Sequence, residues 1–168
     1  MSQSNVWLGL VNPKTPENVG NILRAAGCFN VQGIFYTGNR YHHARKFISD
    51  TKDNHERIPL VHCETLQQML PESAVPVAVE LVEGATPLMH FEHPQNAFYI
   101  FGPEDGSLSK DLVAWCKQVV YIPTTGCLNL SATVNVVLYD RMSKSADIDL
   151  SLDLIRASRD NNNRLKVK

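Results

Sequence analysis

The sequence predicts an α/β fold: a mostly parallel, six-stranded sheet with helices on both faces. Three observations carry this expectation. Six short β-branched and aromatic runs recur along the chain, stretches of helical patterning separate them, and the two late runs are almost wholly apolar. Strands that alternate with helices build parallel sheets, and strands covered on both faces need continuous apolar runs.

In order, the expected strands are VWLGLVN (6–12), GIFYTG (33–38), IPLVHC (58–63), VPVAVELV (75–82), AFYIFG (97–102) and QVVYIP (118–123). Helices are expected near 18–29, 42–51, 65–70, 108–116 and 129–144. There is no internal repeat, and no linker rich in Pro, Gly or Ser divides the chain. We therefore expect one domain over 1–146, followed by a polar, partly basic extension over 147–168. Arg156, Arg159, Arg164, Lys166 and Lys168 make that extension either a frayed tail or a contact for RNA or a second subunit.

Composition narrows the function classes. A chain of 168 residues, 43% hydrophobic and 20% charged with a net charge of -1, can bury one sizeable core and is not basic overall. Any nucleic-acid surface must then be a local patch. Cys28, Cys63, Cys116 and Cys127 form no C-x-x-C pair, and the start of the chain lacks a basic segment followed by a long apolar run. The expectation is a reduced, cytoplasmic protein with no membrane span. The adjacent His42 and His43 lack the helical spacing of a metal site, so no metal is expected.

Three strand-to-helix loops carry polar chemistry, and in an open α/β sheet ligands collect beyond the carboxyl ends of the strands. In PENVGNILRAAG (16–27), Asn18, Asn21 and Arg24 recur every three residues along one side of a helix that begins near Asn18. Asn18 reads equally as an N-cap, and Arg24, a turn and a half inside an apolar helix, is expected to be half-buried and to need a partner. In FGPEDGSLS (101–109), Gly102 permits close backbone approach, and Glu104 reads either as catalytic or as a complement to the dipole of the following helix. In IPTTGCLNLSATVNVVLYDR (122–141), a loop bracketed by Pro123 and Gly126 opens an apolar helix threaded with Asn129, Ser131, Thr133 and Asn135. Neither G-x-x-x-x-G-K-[ST] nor G-x-G-x-x-G is present.

Together the three loops resemble the motifs of the SpoU/TrmH family of SPOUT-class RNA 2′-O-ribose methyltransferases. Asn18, Gly20 and Arg24 fill the first family motif, N-x-G-x-x-x-R. Phe101, Gly102, Glu104, Leu108 and Ser109 match the second, F-G-x-E-x-x-G-L-S, although Ser107 takes the place of its last glycine and Gly106 comes one position early. Ile122, Pro123, Leu128, Asn129, Leu130 and Ser131 match the third, I-P followed by a loop and S-L-N-V/L-S. Here the loop is shorter than usual and Cys127 stands where the family has serine, which replaces a hydroxyl by a weaker hydrogen-bonding thiol. The resemblance covers roughly residues 5 to 144.

This resemblance implies a C-terminal trefoil knot, a homodimer, and S-adenosylmethionine held by backbone groups around Gly102, Ile122 and Leu128, with Cys127 and Glu80 nearby. Arg24, Asn18 and Asn129 become the catalytic candidates, with Asn21, Glu104 and Ser131 contacting substrate or shaping the pocket. Arg24 would bind a substrate phosphate, since a guanidinium holds its proton too firmly to act as a base. Single-domain relatives of this length are similar to those that methylate the anticodon-loop wobble ribose of tRNA. The alternatives are an rRNA 2′-O-methyltransferase, a knotted protein that binds RNA or cofactor without transferring methyl groups, and an α/β enzyme using the Asn18 helix start as an anion site.

Overall fold

A computed structural model describes residues 4–44, 58–146 and 148–167. All six expected strands form. They are β1 (Asn5–Leu10), β2 (Gly33–Tyr36), β3 (Leu60–His62), β4 (Val75–Val79), β6 (Asn96–Phe101) and β7 (Gln118–Tyr121). The sheet has seven strands rather than six, because the two-residue β5 (Thr86–Pro87) pairs with β7. A pairing this short has no periodicity to read, so only the folded chain reveals it.

The strand order is β3-β2-β1-β6-β4-β7-β5, and every neighbouring pair is parallel. From β1 the chain moves outward through α1 (Pro16–Cys28) to β2, whereas from β6 it moves the opposite way through α3 (Lys110–Trp115) to β7. Adjacent strands that lead in opposite directions leave a crevice between their following loops. That crevice lies beyond Leu10 and Phe101, which are register partners.

Each face of the sheet carries its own core. On one, Leu8, Leu10, Tyr99 and Phe101 meet Val19, Ile22 and Leu23 of α1 and Val134, Val137 and Leu138 of α4 (Leu130–Ser143). On the other, Phe98 and Ile100 meet Leu66, Leu108 and Leu112. At roughly 1.5–3 kcal/mol for each fully buried large aliphatic or aromatic side chain, these layers dominate the stability. A Cβ at Gly9 would lie 2.9 Å from Leu66 Cδ1 and 3.1 Å from the Phe98 ring, so a side chain at this point of β1 would require both neighbours to shift.

Local chemistry sets the helix ends. Pro16 opens α1, where its missing N–H costs nothing, and Asn30, with φ +54, turns the chain out after the last turn. Asn129 caps α4 and Ser109 caps α3 through its side-chain oxygen. Of the helix expected over 42–51, the described part is α2 (Arg40–Ala44) and the rest falls outside the described residues. The expected helix at 65–70 is a short 3-10 turn, Gln67–Met69. Within 147–168 the chain forms a further helix, α5 (Leu152–Ser158), capped by Ser151, with Leu152, Leu154 and Ile155 exposed. Lys168 lies outside the described residues.

Candidate active site

Glu104 occupies the crevice beyond β1 and β6. Its carboxylate accepts hydrogen bonds from Lys14 N at 2.8 Å and from Thr15 N, the Thr15 hydroxyl and the Asn18 amide, each at 3.0 Å. The expectation that Glu104 complements the following helix is corrected: α3 begins only at Lys110, and Glu104 turns instead to the amino terminus of α1. Unpaired N–H groups and the helix dipole favour an anion there. Burial works to raise the Glu104 pKa, but the bonds from Asn18, Thr15 and Lys14 outweigh it and hold the carboxyl below 4.5.

Asn18 is buried inside the first turn of α1 rather than capping it, since the cap position belongs to Thr15. A carboxylate only accepts, so the Asn18 amide nitrogen must face Glu104 and its oxygen must face outward. That oxygen accepts from Asn129 Nδ2 at 2.9 Å. Asn129 Oδ1 in turn accepts from Ser131 N at 2.9 Å, the Ser131 hydroxyl at 2.7 Å and Ala132 N at 3.3 Å. Glu104, Asn18, Asn129 and Ser131 thus form one directional chain that ties the end of β6 to α1 and the start of α4. The hydrogen-bonding logic fixes both amide orientations from either end.

Beside this chain lies a cleft of about 160 Å³, lined by Glu80, Gly102, Glu104, Ile122, Cys127 and Leu128 together with Leu81, Phe101, Tyr121, Thr124, Leu130 and Thr133. All five residues expected around a cofactor therefore share one wall system. Glu80 Oε2 accepts from Leu108 N at 2.8 Å. A Cβ on Gly102 would sit 3.4 Å from Leu108 N and 3.5 Å from Glu80 Oε2, ordinary contact distances, so the backbone here runs close against both groups.

Arg24 and Asn21 stand apart. Both are exposed on the outer side of α1, with Gly20 and Gly27, and neither joins the chain. The expected half-buried Arg24 is corrected here. An exposed guanidinium stays hydrated, so the fold need not supply a counter-ion. Sequence reasoning missed Lys14, Thr15 and Arg40, whose partners Glu104 and Asp105 lie 65 to 90 positions away. No local spacing signals such pairs.

A larger hollow of about 830 Å³ lies at the other end of the sheet, but its cations Arg141 and Lys144 are spent within the fold. Arg141 donates to Pro94 O, Gln95 O, Ser4 and Tyr99, and Lys144 to Leu88 O, Phe91 O and Asp140. Between them His93 bridges Tyr99 OH at 2.5 Å and Asp140 at 2.8 Å. The carboxylate can only accept, so Nε2 carries the proton and Nδ1 accepts from Tyr99. This cluster braces the end of α4. Among the described residues no group of His, Cys, Asp and Glu could hold a metal, and no helix is long and apolar enough to cross a membrane.

A parallel sheet with its polar loops gathered at a topological switch defines an α/β ligand-binding protein whose site lies at the strand carboxyl ends. Residues 5–139 match the SpoU rRNA Methylase family, and the chain belongs to that family. It is 25% identical over 145 residues to the 23S rRNA (guanosine-2'-O-)-methyltransferase RlmB of Acinetobacter baylyi, a match covering 79% of this chain and 57% of that relative. The chain thus spans little more than half the length of this curated relative. The fold resembles a structure solved for the 2-OH methylation of C/U34 on tRNA, with TM-score 0.70, 23% identity and coverage of 84% of this chain and 91% of that one. It also resembles the AdoMet-bound rRNA methyltransferase from Sinorhizobium meliloti, with TM-score 0.69, 19% identity and coverage of 84% and 57%.

Proposed function

We propose that the protein is an S-adenosylmethionine-dependent RNA 2′-O-ribose methyltransferase acting on tRNA, at the wobble ribose of the anticodon loop. The observation that carries this reading is the shared cleft of Gly102, Ile122, Leu128, Cys127 and Glu80 beside the Glu104–Asn18–Asn129 chain. Membership of the SpoU family, the AdoMet-bound neighbour and the neighbour concerned with C/U34 of tRNA support it.

The residues present fit the cofactor. At about 160 Å³ the cleft is smaller than the roughly 300–1,000 Å³ of ligand pockets, so a bound nucleoside would lie partly along its open mouth. Ile122, Leu128, Phe101 and Leu130 offer apolar surface for a base, Gly102 leaves backbone within reach, and Glu80 presents a carboxylate able to accept from hydroxyls. Bound there, the cofactor supplies an electrophilic methyl group. The chain's own residues orient and stabilise. Glu104 has both oxygens occupied and a lowered pKa, which makes it a poor proton acceptor and a good anchor. Asn18 and Asn129 hold α1 and the α4 start in register around the reacting ribose. Arg24, exposed, binds a substrate phosphate from the outer side of α1.

A homodimer completes the reading. Val136 and Tyr139 of α4 and Leu128 are exposed apolar groups, and α1 presents Gly20 and Gly27 with open space around them. A second copy packed there would bring its own Arg24 near this cleft. The knot and a cytoplasmic location belong to the same proposal, and the 147–168 extension is proposed as an RNA or subunit contact. The test is transfer of labelled methyl groups to undermodified tRNA and, separately, rRNA, with the modified ribose located by mass spectrometry. Incorporation at a wobble ribose is expected. Incorporation into rRNA alone would move the substrate, and cofactor binding with no incorporation would leave a binder, the outcome that Cys127 in the cleft favours.

A further inference from the structure

The wall of the cleft formed by Pro103–Gly106 has little stiffness of its own. Its internal backbone bond, Gly106 N to Pro103 O, is long at 3.4 Å, and glycines stand at 102 and 106. What holds it comes from outside. Arg40, the first residue of α2, places Nη1 at 2.8 and 3.1 Å from the two Asp105 oxygens and Nη2 3.7 Å from Glu104 Oε2. Lys14 Nζ adds a contact to Asp105 at 3.4 Å. Hydrogen bonding and charge from Arg40, then Lys14, keep the Asp105 pKa below 3.8, so the tether is ionised at neutral pH.

Arg40 itself lies near the site without facing the cleft. Among the described residues its Nε and Nη2 have no hydrogen-bond acceptor, and the carboxylates of Asp105 and Glu104 are the acidic groups against it. Glu104 is already saturated by four donors, which leaves Asp105 as the group Arg40 secures. Resting on the cofactor reading above, we propose that Arg40 is a positioning residue for the cofactor wall: through Asp105 it holds Pro103–Gly106 in the closed geometry that binds S-adenosylmethionine. It touches neither cofactor nor RNA.

The experiment measures S-adenosylmethionine affinity by calorimetry, tRNA affinity by filter binding, and KM against kcat, on wild type, Arg40→Ala, Arg40→Lys and Asp105→Asn. Loss of a partly exposed ion pair predicts about a fivefold rise in cofactor Kd and KM for Arg40→Ala and for Asp105→Asn, with kcat and tRNA affinity unchanged. The double variant should fall well short of the product of the two single effects, because both remove the Arg40–Asp105 pair and differ only in the weaker Lys14–Asp105 and Arg40–Glu104 contacts. Arg40→Lys should recover part of the affinity, since an ammonium reaches one carboxylate but lacks the guanidinium's planar fork. Unchanged cofactor affinity in Arg40→Ala, or a loss confined to tRNA binding, overturns the proposal. Should Arg40→Ala not fold, Asp105→Asn decides alone. Wild type without cofactor affinity sinks the enzymatic reading instead, a result distinct from either outcome.

Discussion

Replacing Asn18 by aspartate changes one group in the buried chain and should do more harm at neutral pH than deleting the side chain altogether. Asn18 Nδ2 lies 3.0 Å from Glu104 Oε1, so Asn18→Asp sets a carboxylate oxygen against a carboxylate oxygen. With charge centres ~4 Å apart at an effective dielectric of ~20, the repulsion is about 4 kcal/mol. Asn18→Ala loses instead one hydrogen bond to a charged acceptor and one to Asn129, while Glu104 keeps its bonds from Lys14 and Thr15. That loss is about 2 kcal/mol. In a domain of this size the alanine variant should melt about 4–8 °C below wild type, and the aspartate variant about twice as far below. Lowering the pH to 5 should narrow the aspartate deficit and leave the alanine deficit nearly fixed, because two facing carboxyls raise one another's pKa until they share a proton. Thermal unfolding by circular dichroism between pH 5 and 7.5, each variant referred to wild type at the same pH, provides the measurement. An aspartate variant that matches wild type at pH 7.5, or whose deficit ignores pH, refutes the assigned chain.

Arg24→Ala should leave stability within about 0.5 kcal/mol and cofactor affinity intact, because the side chain is exposed, yet abolish methyl transfer; equal loss of cofactor binding would expose a structural role. Gly102→Ala should be tolerated, because its Cβ would meet Leu108 N at 3.4 Å and Glu80 Oε2 at 3.5 Å, ordinary contact distances, and so should Gly126→Ala, with nothing within 4 Å; thermal melts of the pair within about 1 °C of wild type check this. Burial, with help from Arg141 and Lys144, holds the His93 pKa below 6.5 despite Asp140. The folded state therefore keeps His93 neutral where the unfolded chain would protonate it. Its contribution to stability is complete above about pH 6.5 and is lost as pH falls through the lower folded value. A pH series of urea melts should show that slope in wild type and a flatter one in His93→Gln.

Much of the fold was legible locally. Runs such as AFYIFG declare a strand buried on both faces, and β6 is buried from Ala97 to Phe101. Gly102, Glu104 and Asn129 were readable as site candidates because each sits just beyond a strand or at a helix start, where backbone groups are unpaired. The seventh strand and α5 were not readable. Two paired residues have no period, and the apolar positions of α5 face solvent among the described residues, so no core imposes a pattern on them. The helical spacing of Asn18, Asn21 and Arg24 suggested a shared face, yet Asn18 is buried and the other two are exposed. A rotation of 300° over three residues spreads such a series around the helix, and the docking of α1 on α4 decides which member turns inward.

By itself, the sequence determined six of the strands, the helices between the main ones, and the polar residues in the strand-to-helix loops, because those follow from local propensity and periodicity. Tertiary structure decided that Glu104 turns to α1 rather than α3, that Asn18 joins Asn129 across 111 positions, and that Arg40 pairs with Asp105 beside the cleft. Hydrogen bonds between distant residues leave no periodic trace along the chain. They arise only where the reversal of strand connections at β1 and β6 brings separate loops to one crevice.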